Sequence, residues 1–132
     1  MRRVSILLVS AVLAVASVFG CTKGYEMRKT AGNMTVTLTA SSYPLVKGDN
    51  SLAVKLTDGS GKSVNDAKVD VRYYMPAMPG MAPMEYTTQA APESGVYQFK
   101  ANIPMEGGWK VDVTATQGGT ALPVVTFNVD AR

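Results

Sequence analysis

Apolar and polar residues alternate one by one along most of this chain, and this period of two restricts the fold more than any other feature. Between Met34 and Ala40 every second residue is apolar, and the residues between them are threonines. A strand with one buried face has this spacing, whereas a helix needs apolar residues three or four positions apart. Helical spacing does not occur along the domain, so the sequence predicts an all-β fold.

Six further segments repeat the alternation, and turn residues such as Asp58-Gly59 and Gly118-Gly119 separate them. Glycine and aspartate tolerate the backbone angles of tight turns. The predicted strands lie at residues 34–40, 52–56, 69–73, 86–89, 97–101, 109–115 and 125–129. About seven short strands with frequent turns are typical of an immunoglobulin-like β-sandwich. We expect Tyr97 and Trp109 to be its large core side chains.

The first twenty residues are predicted to be a secretory signal. Basic residues at the start precede an apolar run, which is shorter than the ~20 residues that span a bilayer, and then a small-residue end. The segment Val18-Phe19-Gly20-Cys21 resembles the bacterial lipobox, whose cysteine is acylated, for example with palmitate, and becomes the new N-terminus. We therefore expect lipidation at Cys21. The alternative, a secreted protein with a free thiol, leaves its odd cysteine unexplained.

The residue after the cysteine bears on location. Thr22 in place of Asp favours the periplasmic face of the outer membrane in a Gram-negative cell. In a Gram-positive cell the same anchor would hold the domain on the outer face of the plasma membrane. Residues 21–33 are polar and predict a flexible tether. Residues 34–132 are predicted to form one domain of ordinary size.

Charge and residue types argue against two classes of function. Once Arg2 and Arg3 have left with the signal, eleven Lys and Arg residues remain against ten Asp and Glu, so we expect no nucleic-acid partner. The chain has no histidine, and its single cysteine is the predicted lipid site. The usual nucleophile and base for covalent catalysis are therefore missing. We do not expect an enzyme.

The segment from residue 75 to residue 84 is nearly palindromic: Met-Pro-Ala-Met-Pro-Gly-Met-Ala-Pro-Met. Its central Pro79 and Gly80 suit the second and third positions of a type II turn. Prolines in both arms would prevent a regular ladder, because proline cannot donate to one. Reversal at the turn would oppose four methionines in two pairs, Met75 with Met84 and Met78 with Met81.

Thioether sulfur is a soft ligand, and soft ligands select Cu(I) and similar ions. We therefore predict that the loop binds Cu(I) or Ag(I). Met105 lies in a second loop shortly before Trp109, whose ring could face a bound cation, although a core position is the commoner role for a lone tryptophan. The predicted ligands are Met78 and Met81 first, with Met75, Met84 and Met105 as helpers.

Two other interpretations of these methionines stay open. Methionine fills irregular apolar gaps, so Met75 and Met84, at the strand ends, suit core packing equally well. An exposed methionine cluster can also be a protein contact surface, because such side chains adapt to many partners. A non-metal interaction module of the cell envelope is therefore the alternative function.

Four segments of the chain are similar, in the same order, to segments of the YtkA-like domain, which is related to FixH-like proteins. They are Gly48-Asp49-Asn50, Tyr74-Met75-Pro76-Ala77-Met78, Gly95-Val96-Tyr97 and the stretch from Met105 to Val111. The resemblance covers roughly residues 34 to 129. It implies an immunoglobulin-like sandwich in a cell-envelope protein. FixH-like relatives are linked to the assembly of copper-containing oxidases, and similar segments occur in heavy-metal efflux adaptors. The implied partner is an envelope metal-transport or oxidase-assembly protein.

Overall fold

The alternation of apolar and polar residues becomes an alternation of buried and exposed side chains. In the computed structural model, which describes residues 24–132, the strand from Val96 to Ile103 buries every second residue. As predicted, the described residues form an all-β sandwich. Its strands pair antiparallel. The strands are β1 (Tyr25–Ala31), β2 (Met34–Ala40), β3 (Gly48–Thr57), β4 (Lys68–Met75), β5 (Met84–Glu93), β6 (Val96–Ile103), β7 (Gly107–Gln117), β8 (Thr120–Ala121) and β9 (Val125–Ala131).

The strands make two sheets that β5 joins. One sheet has the order β1-β2-β3-β6, and in the other β4 lies between β5 and β7, with β8 and β9 also paired to β7. Residues 84–90 of β5 pair with β4, and residues 91–93 pair with β6. Because β5 passes from one sheet to the other, the sandwich is nearly closed along that side.

The inner faces of the two sheets supply the core. Trp109 and Tyr97 are each 1% exposed, and they are the largest of the fully buried side chains, followed by Phe127. The predicted core aromatic residues are thus confirmed. Burying a large apolar side chain is worth about 1.5–3 kcal/mol, so this core can hold the sheets together without a disulfide. None of the described residues forms a helix that is long and apolar enough to cross a membrane.

The prediction of a flexible tether over residues 21–33 is wrong for most of that segment. Residues 25–31 form β1, which pairs with β2 along its whole length. This strand lies at a sheet edge and buries little of its surface, so it is held mainly by backbone hydrogen bonds and carries charged side chains, as edge strands often do. Gly32, with φ of 61°, and Asn33 make the two-residue hairpin turn.

Two other elements differ from the sequence prediction. The two-residue strand β8 folds back on the end of β7 around Gly118 and Gly119, both with positive φ. Strand β5 is ten residues long, whereas residues 86–89 were predicted. Most of its side chains are exposed on both faces, so apolar periodicity does not mark its length.

Two loops with methionines lie at the same end of the sandwich. β4 ends at Met75 and β7 begins at Gly107, and the pairing of Tyr74 with Lys110 places these strand ends side by side. The start of β3 joins them, because Gly48 pairs with Ile103. We call this end, which carries residues 41–47, 76–83 and 104–106, the methionine end.

Candidate functional site

The loop between β4 and β5 reverses where the sequence predicts. Met75 and Met84 are direct partners at the end of the ladder, which then stops at the two prolines. Pairing resumes at an isolated bridge between Met78 and Met81, where the Met81 N–H donates to the Met78 carbonyl oxygen at 3.0 Å. Gly80 has φ of 82°, as the third position of a type II turn requires. The predicted opposition of the four methionines is confirmed.

Burial divides the four methionines into two pairs. Met78 is 47% exposed and Met81 is 38% exposed, so both tip side chains face solvent. Met75 is 3% exposed and belongs to the core, and Met84 is partly buried against it. The tip pair is thus open to an ion or a partner from solvent, while the base pair takes part in packing.

Met105 lies at the same end, in the short loop between β6 and β7. Its side chain is partly buried against the core. Its carbonyl oxygen accepts a hydrogen bond of 3.1 Å from the indole Nε1 of Trp109, so the tryptophan fixes the backbone of this loop. The adjacent Gly107 lies against the terminal methyl of Met75. The two methionine loops therefore touch through their bases.

Trp109 is a core residue. Its ring centroid lies 6.4 Å from that of Tyr73 and 6.4 Å from that of Tyr86, in tilted arrangements typical of packed aromatic side chains. Tyr73 and Tyr86 also stack on each other, at 5.3 Å. Because Trp109 is 1% exposed, its ring is closed to an ion from solvent in this arrangement. The geometry agrees with the core role rather than with a cation–π role.

The loop tip is uncharged, and the charges at its base are paired. Residues 75–84 include no acidic or basic side chain. At the base, Arg72 lies 3.1 Å from Glu85 and 3.6 Å from Asp112, and its guanidinium group is 4.4 Å from the ring centroid of Tyr74. Among the described residues no three His, Cys, Asp or Glu side chains converge as a metal site. Within residues 75–84 the side-chain donors available to a metal are therefore the neutral methionine sulfurs.

A tyrosine pair that no sequence motif marks also lies at the methionine end. Tyr25 stacks on Tyr43 with ring centroids 3.8 Å apart. The Tyr43 hydroxyl accepts from the Asp130 N–H at 3.2 Å, and burial raises the pKa of this phenol. Leu45, two residues on, forms a parallel bridge to Ala131. The start of β1 and the end of β9 are thus tied to the same end.

A polar groove of about 410 Å³ runs along the outer face of β1, β2 and β3. Threonine side chains of β2 line it together with Lys55 and the ion pair of Arg28 with Glu26. It offers hydroxyl and charged groups rather than sulfur, so it adds nothing to a soft-metal site. The predicted lipid site, Cys21, lies outside the described residues.

Two solved structures share the fold. The soluble domain of PmoD from Methylocystis sp. ATCC 49242 (Rockwell) matches with a TM-score of 0.52 at 12% identity, over 80% of this chain and 97% of that one. FetP of uropathogenic E. coli strain F11, expressed in the periplasm of E. coli BL21(DE3), matches with a TM-score of 0.52 at 14% identity, over 82% of this chain and 95% of that one. Such low identities show likeness of fold alone. A comparison with curated proteins gave no match.

The family comparison agrees with the similarity of the four sequence segments. The YtkA-like model matches residues 28–114, which extend from within β1 to within β7 and make up about two thirds of the chain. The match includes the methionine loop, the second loop with Met105, and the core tryptophan. This chain belongs to the YtkA-like family.

Proposed function

We propose that this protein is a lipid-anchored binding module of the cell envelope that holds or hands on a soft monovalent ion, Cu(I) or Ag(I), through its methionine loop. The observation that carries the proposal is the tip of that loop, where two exposed methionines face each other across a tight turn. The lipobox at Cys21 supports the anchor.

The chemistry of the tip favours a soft ion over the commoner metals. Neutral thioethers bind Cu(I) and its like, whereas zinc, magnesium and calcium prefer imidazole, thiolate or oxygen ligands. Met78 and Met81 are direct partners across the bridge, and side chains of such partners start about 4.5–5.5 Å apart. One ion can therefore span both sulfurs without a change in the backbone.

The remaining methionines would have unequal roles. Met84 and Met105 are only partly buried beside the core, near the base of the loop, so they can leave their packing more easily than a fully buried residue. Met75 is buried and would have to leave the core to bind. We therefore assign Met78 and Met81 as the primary ligands, Met84 and Met105 as secondary ones, and Met75 mainly to packing.

An anaerobic Cu(I) titration of the mature protein against a competing chelator tests this assignment. The double variant Met78→Leu with Met81→Leu is expected to weaken Cu(I) binding by roughly tenfold or more, or about 1.4 kcal/mol. A matched control replaces Met27 and Met34, which lie outside both loops, with leucine and should leave the affinity unchanged. Equal affinities of the wild type and the tip variant would disprove the metal site.

The second candidate function is a non-metal contact. The exposed apolar side chains of the tip favour it, because adaptable methionines suit a protein surface. The partner would be another envelope protein, of metal transport or oxidase assembly. A copper-free protein that still captures its partner, and loses it when Met78 and Met81 become aspartate, would favour this function. We propose no catalytic activity for either case.

A further inference from the structure

Exposed apolar side chains are concentrated in one half of the sandwich. Among the described residues, six large hydrophobic side chains are exposed, and five of them lie at or next to the methionine end. Val124, the sixth, follows β8 in the other half. The five are Tyr25, Val46, Met78, Met81 and Tyr86. Exposed apolar side chains gathered at one end of a domain suit a contact surface.

The chain enters the domain at this same end. Tyr25, the first residue of β1, pairs with Ala40, the last residue of β2, and its ring stacks on Tyr43 in the loop that follows. A Cβ at Gly24 would lie 3.3 Å from the Ala40 carbonyl oxygen, so residue 24 also lies against the end of β2. The entry point of the chain and the methionine loop are therefore on one side of the molecule.

The distance from Cys21 to this end is short. Four residue steps separate Cys21 from Tyr25, and an extended chain spans at most about 3.6 Å per residue, or roughly 14 Å in all. The eleven residues of β7 run the length of the sandwich, about 36 Å at 3.3 Å per residue. A lipid on Cys21 would therefore keep the methionine end near the bilayer and leave the opposite end facing away from it.

We propose that the methionine end docks on the surface of the bilayer that holds the anchor, with Tyr25, Val46, Met78 and Met81 in the headgroup region. This inference rests on the lipid anchor of the proposed function. Tyrosine rings are enriched at membrane interfaces, and a lipid anchor holds a protein stably when a second contact acts with it. A soft ion at the tip would then be exchanged in the plane of the membrane, with a membrane-embedded partner.

The contact is apolar rather than electrostatic. Among the described residues, basic side chains at the methionine end, Lys47 and Arg132, are accompanied by the acidic Asp49 and Glu106. The charges there are therefore mixed rather than a basic cluster that would select anionic lipids. Docking should therefore occur on neutral phosphatidylcholine vesicles and change little with salt. Strong dependence on anionic lipid would contradict the apolar contact.

Fluorescence quenching on vesicles tests the orientation. The lipidated mature protein carries one added cysteine labelled with a small fluorophore, and it is reconstituted without metal into phosphatidylcholine vesicles. The lipids of these vesicles carry a quencher at a shallow position of their acyl chains. Ala82→Cys reports the methionine end, and Ser63→Cys, exposed near the end of β3 on the opposite side, is the matched control. We expect at least threefold stronger quenching at residue 82. Equal quenching at the two positions, or none at either, overturns the docking.

A second variant separates docking from anchoring. In the Ala82→Cys background, the double change Met78→Asp with Met81→Asp places two carboxylates where the loop tip would contact the bilayer. Quenching at residue 82 should then fall to the level measured with Ser63→Cys. The protein should still float with the vesicles, because its lipid anchor is unchanged. Unchanged quenching would show that the loop does not bind the bilayer. If the wild-type protein does not float with the vesicles in a density gradient, the lipid anchor is disproved. If it floats but quenching is equal at residues 82 and 63, only the docking is disproved. The Cu(I) titration tests the metal site independently of both results.

Discussion

The terminal methyl of Met75 lies 3.0 Å from the position that a Cβ would occupy at Gly107. Gly107 also has φ of 132°, a conformation that residues with a side chain rarely adopt. A glycine is therefore needed where β7 begins beside the buried base of the methionine loop. We predict that Gly107→Ala lowers the free energy of unfolding by about 1–3 kcal/mol, measured by urea denaturation.

The neighbouring glycine is the control for this prediction. A Cβ at Gly108 would meet nothing within 4 Å, and the residue does not have positive φ. Gly108→Ala should therefore change stability by less than about 0.5 kcal/mol. Met75→Leu, which lacks the terminal methyl, should recover part of the loss caused by Gly107→Ala. If the changes in the free energy of unfolding caused by Gly107→Ala and Met75→Leu add in the double variant, the contact between these residues does not affect stability.

The sequence predicts the strands and the loop reversal because local rules determine both. One buried face imposes the period of two on β2, β3, β4, β6, β7 and β9, and the central proline and glycine impose the turn between Met78 and Met81. Strand β1 is not predicted by apolar alternation, because backbone pairing rather than a buried face holds it in the sheet. Its sequence signal is the two-residue Gly32-Asn33 turn, which is typical of hairpins.

The division of the methionines into core and tip could not be predicted in the same way. Met75 is buried because Gly107, 32 positions later in the chain, leaves room for its methyl group. This contact depends on the pairing of β4 with β7, and residue types near Met75 do not encode it. The shared location of the Met75 and Met105 loops depends on the same pairing.

Asn50 holds the loop that carries Val46 at the methionine end. Its side-chain amide donates to the carbonyl oxygens of Val46 at 2.8 Å and Gly48 at 3.0 Å, and its oxygen accepts from the Val46 N–H at 2.9 Å. Asn50→Asp would place a buried carboxylate against these carbonyls and should cost about 1–3 kcal/mol of stability or more. Asp49→Asn, on an exposed neighbour, should cost less than about 0.5 kcal/mol. Similar losses in the two variants would contradict a specific role for Asn50.

Tyr97 ties the connection between β3 and β4 to the core. Its hydroxyl accepts from the Ala67 N–H at 3.1 Å and donates to the Val64 carbonyl oxygen at 2.8 Å. Tyr97→Phe leaves both backbone groups without this partner, so we expect a loss of about 1–3 kcal/mol and faster amide exchange at Ala67. Tyr86→Phe is the control, because that ring is 40% exposed and its change should be nearly neutral. Unaltered exchange at Ala67 would show that the hydroxyl is dispensable.

Asp58 begins the turn at the end opposite the methionine loop, and its pKa is lowered. The main cause is the Ser60 hydroxyl, which donates to Asp58 Oδ1 at 2.7 Å, and the backbone N–H of Lys62 adds to it. Ser60→Ala should therefore raise the pKa of Asp58 toward its ordinary value, as measured by NMR titration of the carboxyl carbon. Ser63→Ala, on a neighbouring serine outside this turn, should leave the pKa where it is.

The same shift has a consequence for stability at acid pH. Because the folded protein holds the Asp58 carboxylate more strongly than the unfolded chain does, the gain is complete above the ordinary pKa of aspartate, about 3.9. It is lost as pH falls through the lowered pKa of the folded state. As the pH falls from about 5 through the lowered pKa of Asp58, the wild type should therefore lose more stability than Ser60→Ala does. Parallel pH profiles of unfolding for the two proteins would show that the Ser60 hydroxyl does not stabilise the carboxylate.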